Sequence, residues 1–154
     1  MLETQESIQV EDCTGLVISD IKEEWYWVKL GLEEINERDP APKQIPEDVY
    51  AACKYGLAKL FVMGHKELFV VLSEIPETDT DINLSIWYFW VSPEYRGSKK
   101  ARDFFPGLTK YANNNGYNHI QFETVCPELA DYAVRDFGYY IDTIIVKKDT
   151  SNGQ

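Results

Sequence analysis

Apolar and polar positions follow two different periods along this chain, and each change of period marks an element. Residues 14–18 (TGLVI) read as a short first strand. Ser19 or Asp20 can then cap a helix, and Asp20 with Glu23 has the spacing of a capping box. Ile21, Trp25, Val28, Leu32 and Ile35 recur at helical intervals and give that helix one apolar face, which Pro40 stops. A Pro-rich loop follows. Pro46 suits the first turn of a second helix, with Val49, Ala52 and Cys53 on one face and Gly56 as its C-cap. The period then shortens. Ala58–Met63 and Leu68–Ile75 read as two strands joined by a hairpin turn at Gly64–Glu67. Asn83–Val91 is apolar almost throughout, which predicts a central strand covered on both faces.

Beyond Ser92 the helical period returns. Ala101, Phe104, Phe105, Leu108, Tyr111 and Ala112 share a face, and Pro106 within it predicts a kink or a break. His119–Val125 reads as a strand, Pro127–Phe137 as a short helix capped by Gly138, and Tyr139–Val146 as a last strand. A meander of strands followed by β-α-β and a final strand predicts an α/β fold, a mixed sheet with helices on both faces. Met1–Asp12 reads as a flexible acidic tail, 13–147 as a single domain and 148–154 as a fraying end.

Composition narrows the class. Apolar residues are 44% and aromatics 14% of 154, enough for a core, so wholesale disorder is excluded. No apolar run reaches the roughly 18 residues of a membrane span, and the N-terminus lacks the pattern of a signal peptide, so an intracellular, cytoplasmic protein is expected. Cys13, Cys53 and Cys126 lie far apart, which predicts reduced, mostly buried thiols. With only His65 and His119 as imidazoles, no metal site is expected.

Charge is uneven. The net charge is −11, and residues 1–50 hold 13 acidic against 4 basic side chains. That field repels nucleic acid and suits a basic protein partner, an amine substrate or simply a solvated surface. One segment opposes it: Arg96, Lys99, Lys100 and Arg102 stand beside Gly97 and Ser98, between the most apolar strand and the next helix. A helix's first turn offers unpaired N–H groups and the positive end of its dipole. With cations added, it is either a site for a multiply charged anion such as a nucleotide-like pyrophosphate, or an ordinary basic helix start.

The run V-S-P-E-Y-R-G-S-K-K-A-R (Val91–Arg102), placed after that strand, resembles the acetyl-CoA-binding signature of the GNAT N-acetyltransferases, R/Q-x-x-G-x-G/A. Arg96 and Ala101 fill its first and last positions. A later A-x-x-x-V-R-D-F-G-Y (Ala130–Tyr139) is similar to that family's closing motif, and the element order extends the resemblance over about residues 14–147. The resemblance implies a mixed sheet of six to seven strands flanked by about four helices. It also implies an acetyl-CoA cosubstrate, with Phe89, Trp90 and Val91 lining the pantetheine and Arg96, Gly97, Ser98, Lys99, Lys100 and Ala101 holding the phosphates. The activity implied is acetyl transfer to a primary amine of a small molecule or protein, with pairing into a homodimer through late strands.

Three positions depart from the family pattern. Its middle glycine is Lys99, which either crowds the pyrophosphate or reaches it as a cation; its usual tyrosine acid falls on Val134 and its usual asparagine on Pro127. A carboxylate base often found late in the fourth strand falls near Tyr88. Amine transfer needs a base and an acid near the sulfur. The substitutes are Glu123, or Glu74, as base and Tyr132, Tyr139 or Tyr140 as acid, with a structural role as the alternative for each. The Trp87–Trp90 run likewise reads as core or as partly ligand-facing. A second resemblance is to divergent GNAT-like proteins encoded by bacteriophages, through the aromatic strand, Arg96-Gly97-Ser98, Pro106-Gly107-Leu108 and the closing Gly138-Tyr139. It implies a catalytically silent binding, virion-associated or assembly protein.

Overall fold

A computed structural model of the chain describes residues 15–39, 44–124 and 127–150. The chain forms two compact units, one ending at Glu123 and one beginning at Thr124.

The first unit is built on a five-stranded sheet in sequential order. Its strands are β1 (Leu16–Ser19), β2 (Ala58–Met63), β3 (Leu68–Pro76), β4 (Ile82–Val91) and β5 (His119–Gln121). β1 to β4 pair antiparallel, and β5 adds to β4 in parallel. Three helices accompany them: α1 (Ile21–Arg38), α2 (Pro46–Lys54) and α3 (Lys99–Asn114).

Alternation along the strands sorts their side chains into two layers. Leu60 and Val62 of β2 and Phe69 and Val71 of β3 meet Ile21, Trp27, Val28 and Leu32 of α1 and Val49 of α2. On the opposite face, Phe61 stacks edge-on against Tyr111 of α3, and Phe89 lies against Phe104 with ring centroids 4.3 Å apart. Helices therefore cover both faces, and the predicted α/β architecture stands.

α1 starts where Asp20 accepts a hydrogen bond from the Lys22 amide at 2.9 Å. Its buried face turns slightly from the sequence expectation: Trp27 and Gly31 are buried, whereas Trp25 and Ile35 are only partly so. Trp25 instead packs edge-on against Tyr50 of α2.

Four expectations need correction. Among the described residues the sheet has five strands, not six or seven. The strand predicted over His119–Val125 ends at Gln121, and residues 125 and 126 lie outside the described part. Tyr139–Val146 forms no strand; Tyr140, Ile141, Ile144, Ile145 and Val146 are exposed despite their β-rich composition, since propensity without a pairing partner does not make a strand. α3 is not broken at Pro106: it runs continuously from Lys99 to Asn114, with Phe104, Phe105 and Leu108 buried around the exposed proline. Core packing on both sides of the proline outweighs one missing N–H.

The second unit contains α4 (Pro127–Phe137), on which Ala133 is buried. Gly138 follows at φ +77°, as a C-cap position requires, and the Tyr139 amide donates to the Ala133 carbonyl at 3.2 Å. The Met1–Asp12 tail and Cys13 lie outside the described residues. No helix among the described residues is long and apolar enough to cross a membrane.

Candidate functional site

The turn between β4 and α3 is assembled from local rules. Ser92 donates its amide to the Glu67 carbonyl at 2.8 Å, which fixes the end of β4 to the β2–β3 hairpin. Pro93–Tyr95 makes one 3₁₀ turn, and Gly97 reverses the chain at φ +77°, a conformation that L side chains resist. Ser98 then caps α3, its hydroxyl accepting from the Ala101 amide at 3.3 Å. The Ser98 amide is bonded to the Tyr95 carbonyl. Among the described residues, the amides of Gly97, Lys99 and Lys100 have no acceptor. A Cβ added to Gly97 would meet no atom within 4 Å, so the space on the side-chain side of Gly97 is open. Unbonded N–H groups at the positive end of a 16-residue helix are the kind of donors that suit an anion.

The cations beside it are held by carboxylates the sequence reading did not single out. Arg96 pairs with Glu34 of α1 at 2.6 Å and donates through Nε to the Val91 carbonyl at 2.9 Å. Lys100 meets Glu67 at 2.9 Å, and the Glu67 side chain is only 13% exposed. Lys99 pairs with Asp103 one helical turn on at 2.8 Å, its side chain 82% exposed. Lys99 thus lies along the helix surface and leaves the turn uncrowded. Hydrogen bonding to Arg96 holds the Glu34 carboxyl below its usual range, and Lys100 does the same for Glu67. Glu34 and Glu67 lie 62 and 33 residues from their partners. The only local signal for either is the spacing of Glu34 with Arg38, which form an ion pair at 2.7 Å.

β4 is irregular where it approaches this turn. Val71 pairs with Tyr88 and Leu72 with Ile86, so Trp87 is an extra residue, a bulge. β5 pairs only with Asn83–Ser85, and beyond the bulge it does not follow β4. The expectation that both faces of β4 are covered throughout fails here: Leu84 and Ile86 are buried, whereas residues 87–91 are half-buried. The side chains of Phe89 and Trp90 are committed to opposite layers. Phe89 packs under α3, and Trp90 stacks on Phe69 and sits 6.0 Å from Trp27. The Trp90 indole donates to Glu34 at 3.3 Å. What β4 offers a ligand along this stretch is therefore backbone, together with Val91 at its end.

The proposed acid and base groups are divided between the units. Glu123 follows β5 in the first unit and is exposed. Glu74 on β3 accepts a short hydrogen bond from the Tyr117 hydroxyl. Tyr132 and Tyr139 belong to the second unit. There Tyr132 meets Phe137 edge-on at 5.1 Å, with the Arg135 guanidinium 5.9 Å from its ring. Burial pushes the Tyr139 phenol up to about 12, and Tyr140 is exposed. Val134, at the position of the family's tyrosine, is exposed on α4. Tyr88, where a carboxylate was considered, packs against the α1-side core, and burial raises its phenol pKa. Among the described residues, no three His, Cys, Asp or Glu side chains are grouped to hold a metal ion.

At the other end of β4, Asn83 is buried and joins the strand pair. It donates to Glu77 at 3.0 Å and Gln121 at 3.1 Å, and its oxygen lies 3.2 Å from His119 Nδ1. This cluster is satisfied internally and anchors the short β4–β5 ladder.

No family model and no curated protein matches the sequence. The fold has clear relatives among solved structures. A tetramutant of the BH1408 protein from Bacillus halodurans superposes with a TM-score of 0.67 at 16% identity, over 87% of this chain and 98% of that one. A ribosomal-protein-alanine N-acetyltransferase from Brucella melitensis biovar Abortus gives 0.63 at 13% identity, covering 86% and 98%. An aminoglycoside acetyltransferase from an uncultured soil metagenomic sample, in complex with sisomicin, gives 0.64 at 9% identity, covering 90% and 97%. The chain thus shares the mixed α/β fold of solved structures, several of them named as acetyltransferases. More narrowly, the fold is that of the GNAT acetyltransferases.

Proposed function

We propose that the protein is an N-acetyltransferase that moves an acetyl group from acetyl-CoA to a primary amine. The carrying observation is the group of unbonded Gly97, Lys99 and Lys100 amides, open on the side-chain side of Gly97 and set just past a bulged strand that its parallel neighbour follows for only three residues. In this reading the amides receive the pyrophosphate, Lys100 adds charge, and the backbone of Phe89, Trp90 and Val91 pairs with the pantetheine arm. Ser98 and Ala101 hold the turn's shape through their cap hydrogen bond.

The amine nitrogen attacks the thioester carbonyl, a C–N bond replaces the C–S bond, the nitrogen loses a proton and the thiolate gains one. Glu123 is the candidate base and Tyr132 and Tyr139 the candidate acids that the sequence offers. The acceptors named for the structural neighbours, a ribosomal-protein alanine and an aminoglycoside, span protein and small-molecule amines. The acidity of residues 1–50, with Glu33, Asn36 and Glu37 lining a surface depression on α1, favours a cationic acceptor or a basic protein partner. A second reading, a binding protein of the same fold without turnover, is favoured by Val134 where the family's tyrosine stands.

Thermal-shift titration with acetyl-CoA tests the first reading. Ligand at about 100 times its Kd adds about 2.7 kcal/mol of stability. The shift is expected in the unmodified protein and lost in Arg96→Glu/Lys100→Glu. A shift that survives those changes removes the phosphate assignment. Acetyl-CoA binding without CoA release across a panel of amines supports the second reading.

A further inference from the structure

Arg96 does not point where a phosphate ligand should. Its Nε donates to the Val91 carbonyl at 2.9 Å and its Nη2 to Glu34 Oε2 at 2.6 Å, folding the guanidinium back along the end of β4 toward α1. Glu34 also accepts from Arg38 at 2.7 Å and from the Trp90 indole at 3.3 Å. One carboxylate near the end of α1 thus joins its own helix, the last residues of β4 and the turn beyond. The pair is partly shielded: the Arg96 side chain is 36% exposed and Glu34 31%. Lys100 differs. It holds Glu67 by one contact on a flexible stem, is 60% exposed, and can turn toward an anion without releasing the backbone. Arg96 would have to give up both of its anchors.

We infer that Glu34 is a positioning residue that holds Arg96 as a strut fixing the turn to α1 and β4, and that Arg96 is not itself a phosphate ligand. This rests on reading the turn as the coenzyme site. The two roles for Arg96 predict opposite signs. If Arg96 gripped the phosphate, Glu34 would compete for it, and Glu34→Gln would tighten coenzyme binding. As a strut, Glu34→Gln loosens the turn and weakens it.

Coenzyme A affinity of the full chain, measured by calorimetry at two ionic strengths, separates them. Glu34→Gln and Arg96→Met are each expected to weaken binding about three- to tenfold, and the double variant no more than Arg96→Met alone. Arg96→Met leaves the salt dependence of binding unchanged, whereas Lys100→Met reduces it. Arg96→Lys does not restore affinity, because lysine keeps the charge but loses the two-pronged geometry. Tighter binding in Glu34→Gln, rescue by Arg96→Lys, or additive losses in the double variant overturn the strut. If the unmodified protein takes up no coenzyme A, the functional proposal fails on its own. Urea denaturation of the unmodified protein, Glu34→Gln, Arg96→Met and the double variant without ligand then decides the strut, with non-additive stabilities expected and additive ones contradicting it.

Discussion

Gly31 sits where α1 crosses the sheet, and a Cβ there would lie 2.6 Å from Phe69 Cε2 and 3.0 Å from Trp90 Cδ2. Replacing a helical glycine with alanine ordinarily gains up to about 1 kcal/mol. Here both rings are packed and cannot withdraw, so Gly31→Ala is expected to destabilise by about 1–3 kcal/mol in urea denaturation; an unchanged or raised stability contradicts this packing. Gly97 is the reverse case. Nothing lies near its absent side chain, so Gly97→Ala costs only the left-handed backbone, about 1–2 kcal/mol, and Gly97→Asn less. Cys53 makes a chemical test. Burial pushes its thiol to about 11, so alkylation at pH 8 followed by mass spectrometry should find it slow to react, and rapid labelling would show that the α2 face is open. At this scale the sequence was half legible. Gly97 and Ser98 announce a turn and a cap in two adjacent letters. Glu67 announces nothing and Glu34 only its pairing with Arg38, because their roles at the turn depend on partners far along the chain.

Elements read well wherever the pattern was long and local. α1, α3 and the β2–β3 hairpin have their expected places because periodicity and end signals agree over many residues. The interior of β4 and the last strand read poorly. The bulge at Trp87 is set by register against β3, which no single strand's composition encodes. The run over Tyr139–Val146 has strand composition without strand structure. α3 shows the competing force most directly. Its interior proline forfeits a hydrogen bond, while Phe104, Phe105 and Leu108 bury about 1.5–3 kcal/mol each. Since Pro106 is exposed, Pro106→Ala is expected to restore the bond without losing packing and to raise stability by about 1–3 kcal/mol. A loss of stability would mean that the helix needs the bend a proline imposes.

For the molecule as a whole, two of the ties that hold the turn in place are charged. Glu34 and Glu67 both titrate below the ordinary 4.5 in the folded protein, Glu34 through Arg96 and then Trp90 and Arg38, Glu67 through Lys100 and then His65. The unfolded chain therefore takes up these protons first as pH falls. The stability these carboxylates contribute is complete above about pH 4.5 and is lost progressively below it. Thermal melting between about pH 3 and 7 should fall at the acid end, and Glu34→Gln or Glu67→Gln should flatten that fall; parallel profiles in all three proteins would remove these pairs from the account. The fold class was readable from element order, and the turn's location from its cations. What those cations do was not readable, because Arg96 and Lys100 pair with carboxylates far along the chain. The most direct measurement is a titration of ¹⁵N-labelled protein with coenzyme A, following amide resonances. The account predicts that the Gly97, Lys99 and Lys100 amides move first and furthest, and that pantetheine, which lacks the pyrophosphate, leaves them in place. Shifts confined to other residues, or equal shifts with pantetheine, would contradict it.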